Sequence, residues 1–125
     1  MTRTTAEEPQ PSPESSQSPY TRPDDLDLIH RTMEFAVEPA SLPECKTILA
    51  AFLRHIRKTE PGTVLYNSFQ DLRDPTHFLN VMAFADRKAL EAHVGSLAYR
   101  LFICDLGTML RRPVIVTDLS LFDTC

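Results

Sequence analysis

The segment His77–Phe84, "HFLNVMAF", constrains the fold of this chain more than any other. At the two-residue period of a strand, Phe78, Asn80, Met82 and Phe84 share one face, and Leu79, Val81 and Ala83 share the other. A strand that is apolar on both faces must be covered on both. It therefore belongs inside a sheet, with helices on one side and a second apolar surface on the other.

The flanking sequence supplies the other elements. "LDLIHRTMEFAVE" alternates, setting Ile29, Met33, Phe35 and Val37 on one face with Arg31 among them, and His30, Thr32, Glu34 and Glu38 on the other; this is a first strand. A helix follows, with Cys45, Ile48, Leu49, Phe52, Leu53 and Ile56 at helical spacing, and Arg54, Arg57 and Lys58 on the opposite face. Ser41 and Glu44 have the spacing of a capping box, Pro43 suits a first turn, and Pro61-Gly62 ends the helix. "TVLYNSFQ" reads as a second strand and "DLRDP" as the turn into the third. Asp86 is placed to cap the next helix, whose stripe Leu90, Val94 and Leu97 also contains His93. "LAYRLFICDLGTML" continues as a further helix, and Pro113 opens a last strand, "VIVTDLSLF". The order is β-α-β-β-α-β. Right-handed crossovers then give an α+β, ferredoxin-like four-stranded antiparallel sheet with both helical segments on one face. The remaining apolar face is expected to be covered by a second copy, making a two-fold homodimer.

The 125 residues suffice for one domain. Residues 1–25 hold five prolines, no Leu, Ile, Val or Phe, and a net charge of −3 of the chain's −4. They read as a disordered tail, with the domain over 26–125. The near-neutral domain lacks the basic footprint of a nucleic-acid binder and the basic amphipathic face of a membrane-surface helix. Cys45, Cys104 and Cys125 are widely spaced and odd in number, which suits free thiols. His30, His55, His77 and His93 show no metal-ligand spacing, so no metal is expected. The N-terminus has no apolar core of a secretory signal, and no run is long enough to cross a membrane, so the expected location is cytoplasmic.

Three short motifs carry a resemblance. They are Glu60-Pro61-Gly62 followed by a strand with Tyr66; Asp74-Pro75 with Phe78; and Ala89-Leu90-Glu91-Ala92-His93 with Ser96. In this order they resemble the antibiotic biosynthesis monooxygenase (ABM) domain family, over about residues 28–122. The resemblance implies the dimeric α/β barrel fold, with a pocket between sheet and helices in each subunit. It implies oxidation of a polycyclic aromatic or quinol, of polyketide type, by O2 without a cofactor. Members that isomerise a metabolite, or open a ring with reduced flavin, supply the alternatives, and a non-catalytic binding barrel is a third.

Asn80 and His93 are the catalytic candidates. Quinone-forming members carry Asn-x-x-x-Trp at what looks like the place of Asn80-Val-Met-Ala-Phe84; the Asn matches, and the chain has no Trp. Asn80 would donate to a substrate oxygen, or else bond the helix backbone. His93 would be a general base, or else a structural histidine on a backbone carbonyl. Tyr66, Phe78, Met82, Phe84 and Arg100 are the expected substrate-binding residues, Arg100 for an anionic oxygen.

Overall fold

The computed structural model describes residues 27–125; the expected N-terminal tail lies outside the described residues. Residues Ile29–Ser120 form one compact unit. Its elements are β1 (Ile29–Ala36), α1 (Leu42–Thr59), β2 (Thr63–Gln70), β3 (His77–Phe84), α2 (Arg87–Gly95), α3 (Leu97–Gly107) and β4 (Ile115–Leu119). The four strands form one sheet in the order β2-β3-β1-β4, with β1 antiparallel to both β3 and β4, and β2 antiparallel to β3. Strands β1 and β2 are thus parallel and linked by α1, as β3 and β4 are by α2 and α3. This is the ferredoxin-like arrangement.

The doubly apolar strand is interior as expected, between β1 and β2. Its Phe78, Asn80, Met82 and Phe84 are buried, with Met33, Phe35 and Val37 of the β1 segment beside them. Leu49, Phe52 and Ile56 of α1, Leu90 of α2, and Phe102 and Leu106 of α3 complete the layer. The layer is chemically divided along the strands. One end is built around the stacked rings of Phe35 and Phe78, centroids 5.2 Å apart. The other, toward the start of β1 and the end of β3, holds His93, Tyr66 and Arg31.

The opposite face of the sheet carries Leu65 and Phe69 of β2, Leu79 of β3, and Ile115 and Leu119 of β4, all exposed. Strand β4 is exposed along its whole length. It is also shorter than the apolar run after Pro113 implies.

Two local expectations fail, for reasons of backbone geometry. Ser41 makes no capping-box bond, because Pro39–Ser41 form a 3-10 turn that holds Ser41 at φ −91°, ψ −4°. A capping residue needs extended backbone, and this one is already helical. Leu97 is not buried with Leu90; it is 63% exposed. Ser96, at φ −71° and ψ 151°, breaks the helix, so the stripe loses its phase there. The Ser96 hydroxyl donates to the His93 carbonyl (2.9 Å) and accepts from the Tyr99 N–H (3.0 Å), joining the end of α2 to the start of α3. The cap at Asp86 forms as expected, accepting from the Ala89 N–H at 2.8 Å.

Among the described residues, no helix is long and apolar enough to cross a membrane, and no group of three His, Cys, Asp or Glu residues could hold a metal ion. All three cysteines are free thiols. Burial pushes the Cys45 thiol up to about 11.

Candidate active site

His93 lies in the last turn of α2 and is 1% exposed. Its ring is boxed by Phe84 and Tyr99, each with centroids at 5.1 Å, by Tyr66 at 5.7 Å and by Phe52 at 5.8 Å. Among the described residues no backbone carbonyl anchors it. Its Nδ1 meets Glu60 Oε1 at 2.8 Å, and the same oxygen accepts from the Thr63 hydroxyl at 2.8 Å. Glu60 is the first residue past α1, with its own N–H still bonded to the Ile56 carbonyl.

The arrangement joins two of the sequence motifs. Glu60-Pro61-Gly62 places the carboxylate, and the helix containing Ala89 and His93 places the ring. Gly62 is what lets them meet: a Cβ there would lie 2.6 Å from the Ala89 Cβ, well inside contact distance.

A carboxylate on Nδ1 fixes the tautomer. With Nδ1–H donated to Glu60, Nε2 keeps its lone pair. Burial lowers the imidazole's pKa below its ordinary value; Glu60 opposes this through its hydrogen bond and charge, and Arg31 adds to it. The neutral, basic form therefore persists at neutral pH.

Asn80 is fully buried and bonds neither a helix carbonyl nor a helix N–H. Its Nδ2 donates to the Tyr66 hydroxyl at 3.2 Å. Burial raises the Tyr66 phenol well above the usual tyrosine range, with the Asn80 bond opposing. Tyr66 thus stays protonated, and its O–H remains available to donate.

The hydrogen-bond accounts are open at this spot. Five buried side-chain polar atoms lack partners among the described residues, and four of them are His93 Nε2, Glu60 Oε2, Asn80 Oδ1 and the oxygen of Ser68, which pairs with Asn80 across β2 and β3. Each such atom costs about 1–3 kcal/mol unless something bonds it. Two of them belong to the His93–Glu60 pair, and two to Asn80 and Ser68, next to Tyr66 along β3 and β2, where a polar ligand could bond them.

Of the other expected site residues, Phe84 lines the His93 box, and Met82 lies on the sheet between Tyr66 and Arg31. Phe78 stacks on Phe35 at the other end of the layer and does not join the cluster. Arg100 points to solvent from α3; the cation on the helix-facing side of the sheet is Arg31. Glu60 and Phe52 were not legible as site residues. A concavity of ≈ 520 Å³, lined by Ala51, Arg54, His55, Arg57 and Lys58, lies on the outer face of α1 and includes none of these groups.

The family model for antibiotic biosynthesis monooxygenases matches residues 28–103, more than half of the chain. Solved structures with the same fold include Rv0793 from Mycobacterium tuberculosis, 25% identical with TM-score 0.71, covering 78% of this chain and 97% of that one. PA3566 from Pseudomonas aeruginosa is 21% identical with TM-score 0.69, covering 77% and 95%. A protein described as antibiotic biosynthesis monooxygenase is 19% identical with TM-score 0.70, covering 74% and 97%. No curated protein sequence matches the chain. From its family match and its fold, the chain belongs to the antibiotic biosynthesis monooxygenase family.

Proposed function

We propose that the protein is a monooxygenase that oxidises an electron-rich polycyclic aromatic or quinol, of polyketide type, with O2 and no cofactor. The observation that carries this reading is His93: a buried imidazole whose Nδ1 is held by Glu60 and whose Nε2 has no partner among the described residues. Nε2 takes the proton of a phenol or an activated C–H. The oxygen that gains charge accepts from the Tyr66 O–H, which Asn80 holds in place. The aromatic walls exclude water, and the substrate anion supplies the electrons that reduce O2. For a ring CH2 the balance closes: one oxygen atom becomes the new carbonyl, and the other leaves as water with the two hydrogens. Glu60 acts through His93, as a positioning residue.

The box is closed around His93, so a substrate reaches Nε2 only as these rings part. Tyr99 is half-buried on the first turn of α3, directly past the Ser96 break, and is the wall best placed to move. The uncovered apolar sheet face supports the companion proposal that two copies pack sheet to sheet.

Incubation with an anthrone, with and without O2, tests the reaction. The expected product gains one oxygen atom from isotope-labelled O2, and none forms under anaerobic conditions. A product of unchanged mass identifies an isomerase instead. Turnover only with added reduced flavin identifies a flavin-assisted oxygenase.

A further inference from the structure

One cross-strand row on the helix-facing side of the sheet is only partly used by this chemistry. In register, Tyr66 of β2 stands opposite Met82 of β3, Met82 opposite Arg31 of β1, and Arg31 opposite Asp118 of β4. Adjacent strands lie about 4.8 Å apart, so the backbones of Tyr66 and Arg31 stand two strands apart, about 10 Å, with Met82 between them.

Arg31 is an anomaly in that layer. Its neighbours along the same face of β1 are Ile29 and Met33, and its side chain is only 19% exposed. A charge so placed is costly unless it is paired. Asp118 Oδ1 accepts from its Nε at 2.7 Å, but Asp118 is itself 68% exposed, which weakens the pair. Among the described residues the guanidinium makes no other hydrogen bond, so its two Nη groups, the open fork of the side chain, have no protein acceptor.

The row also has an open end. The helix-facing residues of β4, Val116 and Asp118, are both exposed, so the helices do not roof this edge. From that flank inward the order is carboxylate, guanidinium, thioether, phenol, with the His93 ring packed against the phenol. Arg31 is near enough to act electrostatically on both His93 and Tyr99.

We propose that Arg31 is the anion-binding group of this site, and that the substrate is an aromatic carboxylic acid. The flat ring system enters across β4 and, once the Tyr99 wall has parted, lies over Met82, which is 1% exposed in the closed state. Its hydroxyl points to Tyr66 and His93, and its carboxylate accepts from both Nη groups of Arg31. A fork of two parallel N–H donors matches a planar carboxylate. This rests on the reading of the His93 cluster as a small-molecule site. It goes beyond that reading by naming the charge the substrate carries and the direction from which it comes.

NMR titration of the full chain with hydroxynaphthoic acid and with its neutral carboxamide tests it. The acid is expected to bind at least about tenfold more tightly than the carboxamide, the scale of a charge-assisted pair. Arg31→Gln abolishes that preference and leaves carboxamide binding unchanged. Asp118→Asn, an exposed change that spares the fold, frees the guanidinium of its competing anion and strengthens acid binding severalfold. Equal affinity for the two probes in the native chain would overturn the assignment, as would a preference that survives Arg31→Gln. So would shifts confined to the basic outer face of α1. If neither probe moves the His93 signals, the small-molecule reading itself is lost, an outcome distinct from loss of the acid preference alone.

Discussion

At the scale of single residues, the unusual feature is how much depends on one carboxylate oxygen. Glu60 Oε1 holds both the His93 ring and the Thr63 hydroxyl. In Glu60→Gln the charge that supports the protonated imidazole is gone, so His93 is expected to titrate still further below 6.5; following its ring-proton shifts against pH checks the direction. The same depression has a consequence for stability. The unfolded chain, with an ordinary histidine, binds the proton more readily than the folded one. Stability from this group is therefore complete above about 6.5 and is lost as pH falls through the lower folded-state value. The expected result is a urea midpoint that declines on acidification below that point, with this part of the decline missing in His93→Gln. Tyr66→Phe removes the proposed oxyanion donor and the acceptor of Asn80 together; turnover is expected to drop by about two orders of magnitude with a smaller loss of stability. At this scale the sequence was half legible. An imidazole on an apolar stripe and an amide on an apolar strand announce themselves, because neither belongs there. Glu60 does not, since an acid before Pro-Gly reads as a helix end, and its partner lies 33 residues away. Arg31 was visible on the apolar face of β1, but nothing local distinguished it from Arg100 as the candidate cation of the site.

At the scale of elements, the site is the meeting of a turn and a helix. Gly62 is small because Ala89 comes close, and no left-handed backbone is involved. Gly62→Ala forces α2 and the turn apart. The expected cost is about 1–3 kcal/mol in denaturant unfolding, together with loss of the Glu60–His93 bond seen as a changed His93 ring-nitrogen shift. Ser96→Ala removes the cap of α3 and its tie to the His93 carbonyl; a loss of about 1 kcal/mol is expected, with faster hydrogen exchange at Tyr99. The strands and helices themselves were readable, because each buries one face and periodicity reports burial. The errors lay where the backbone changes course. A helical stripe counted past Ser96 keeps its arithmetic and loses its geometry, and a capping spacing at Ser41 fails when the preceding turn is already wound.

At the scale of the whole molecule, helices cover one side of the sheet and leave Leu65, Phe69, Leu79, Ile115 and Leu119 exposed on the other. If two copies pack there, Phe69→Glu with Leu79→Glu turns a dimer into a monomer in sedimentation velocity without unfolding the chain; a native chain that sediments as a monomer at micromolar concentration rules the pairing out. The division of the interior has a different consequence. The half built on Phe35 and Phe78 holds none of the unpartnered polar atoms of the His93 cluster, and the other half holds the candidate site. Folding free energy and chemistry are thus supplied by different ends of the same layer. A lineage of such domains is free to exchange side chains at one end, and so to acquire new reactions, while the other end keeps the polypeptide folded throughout the change.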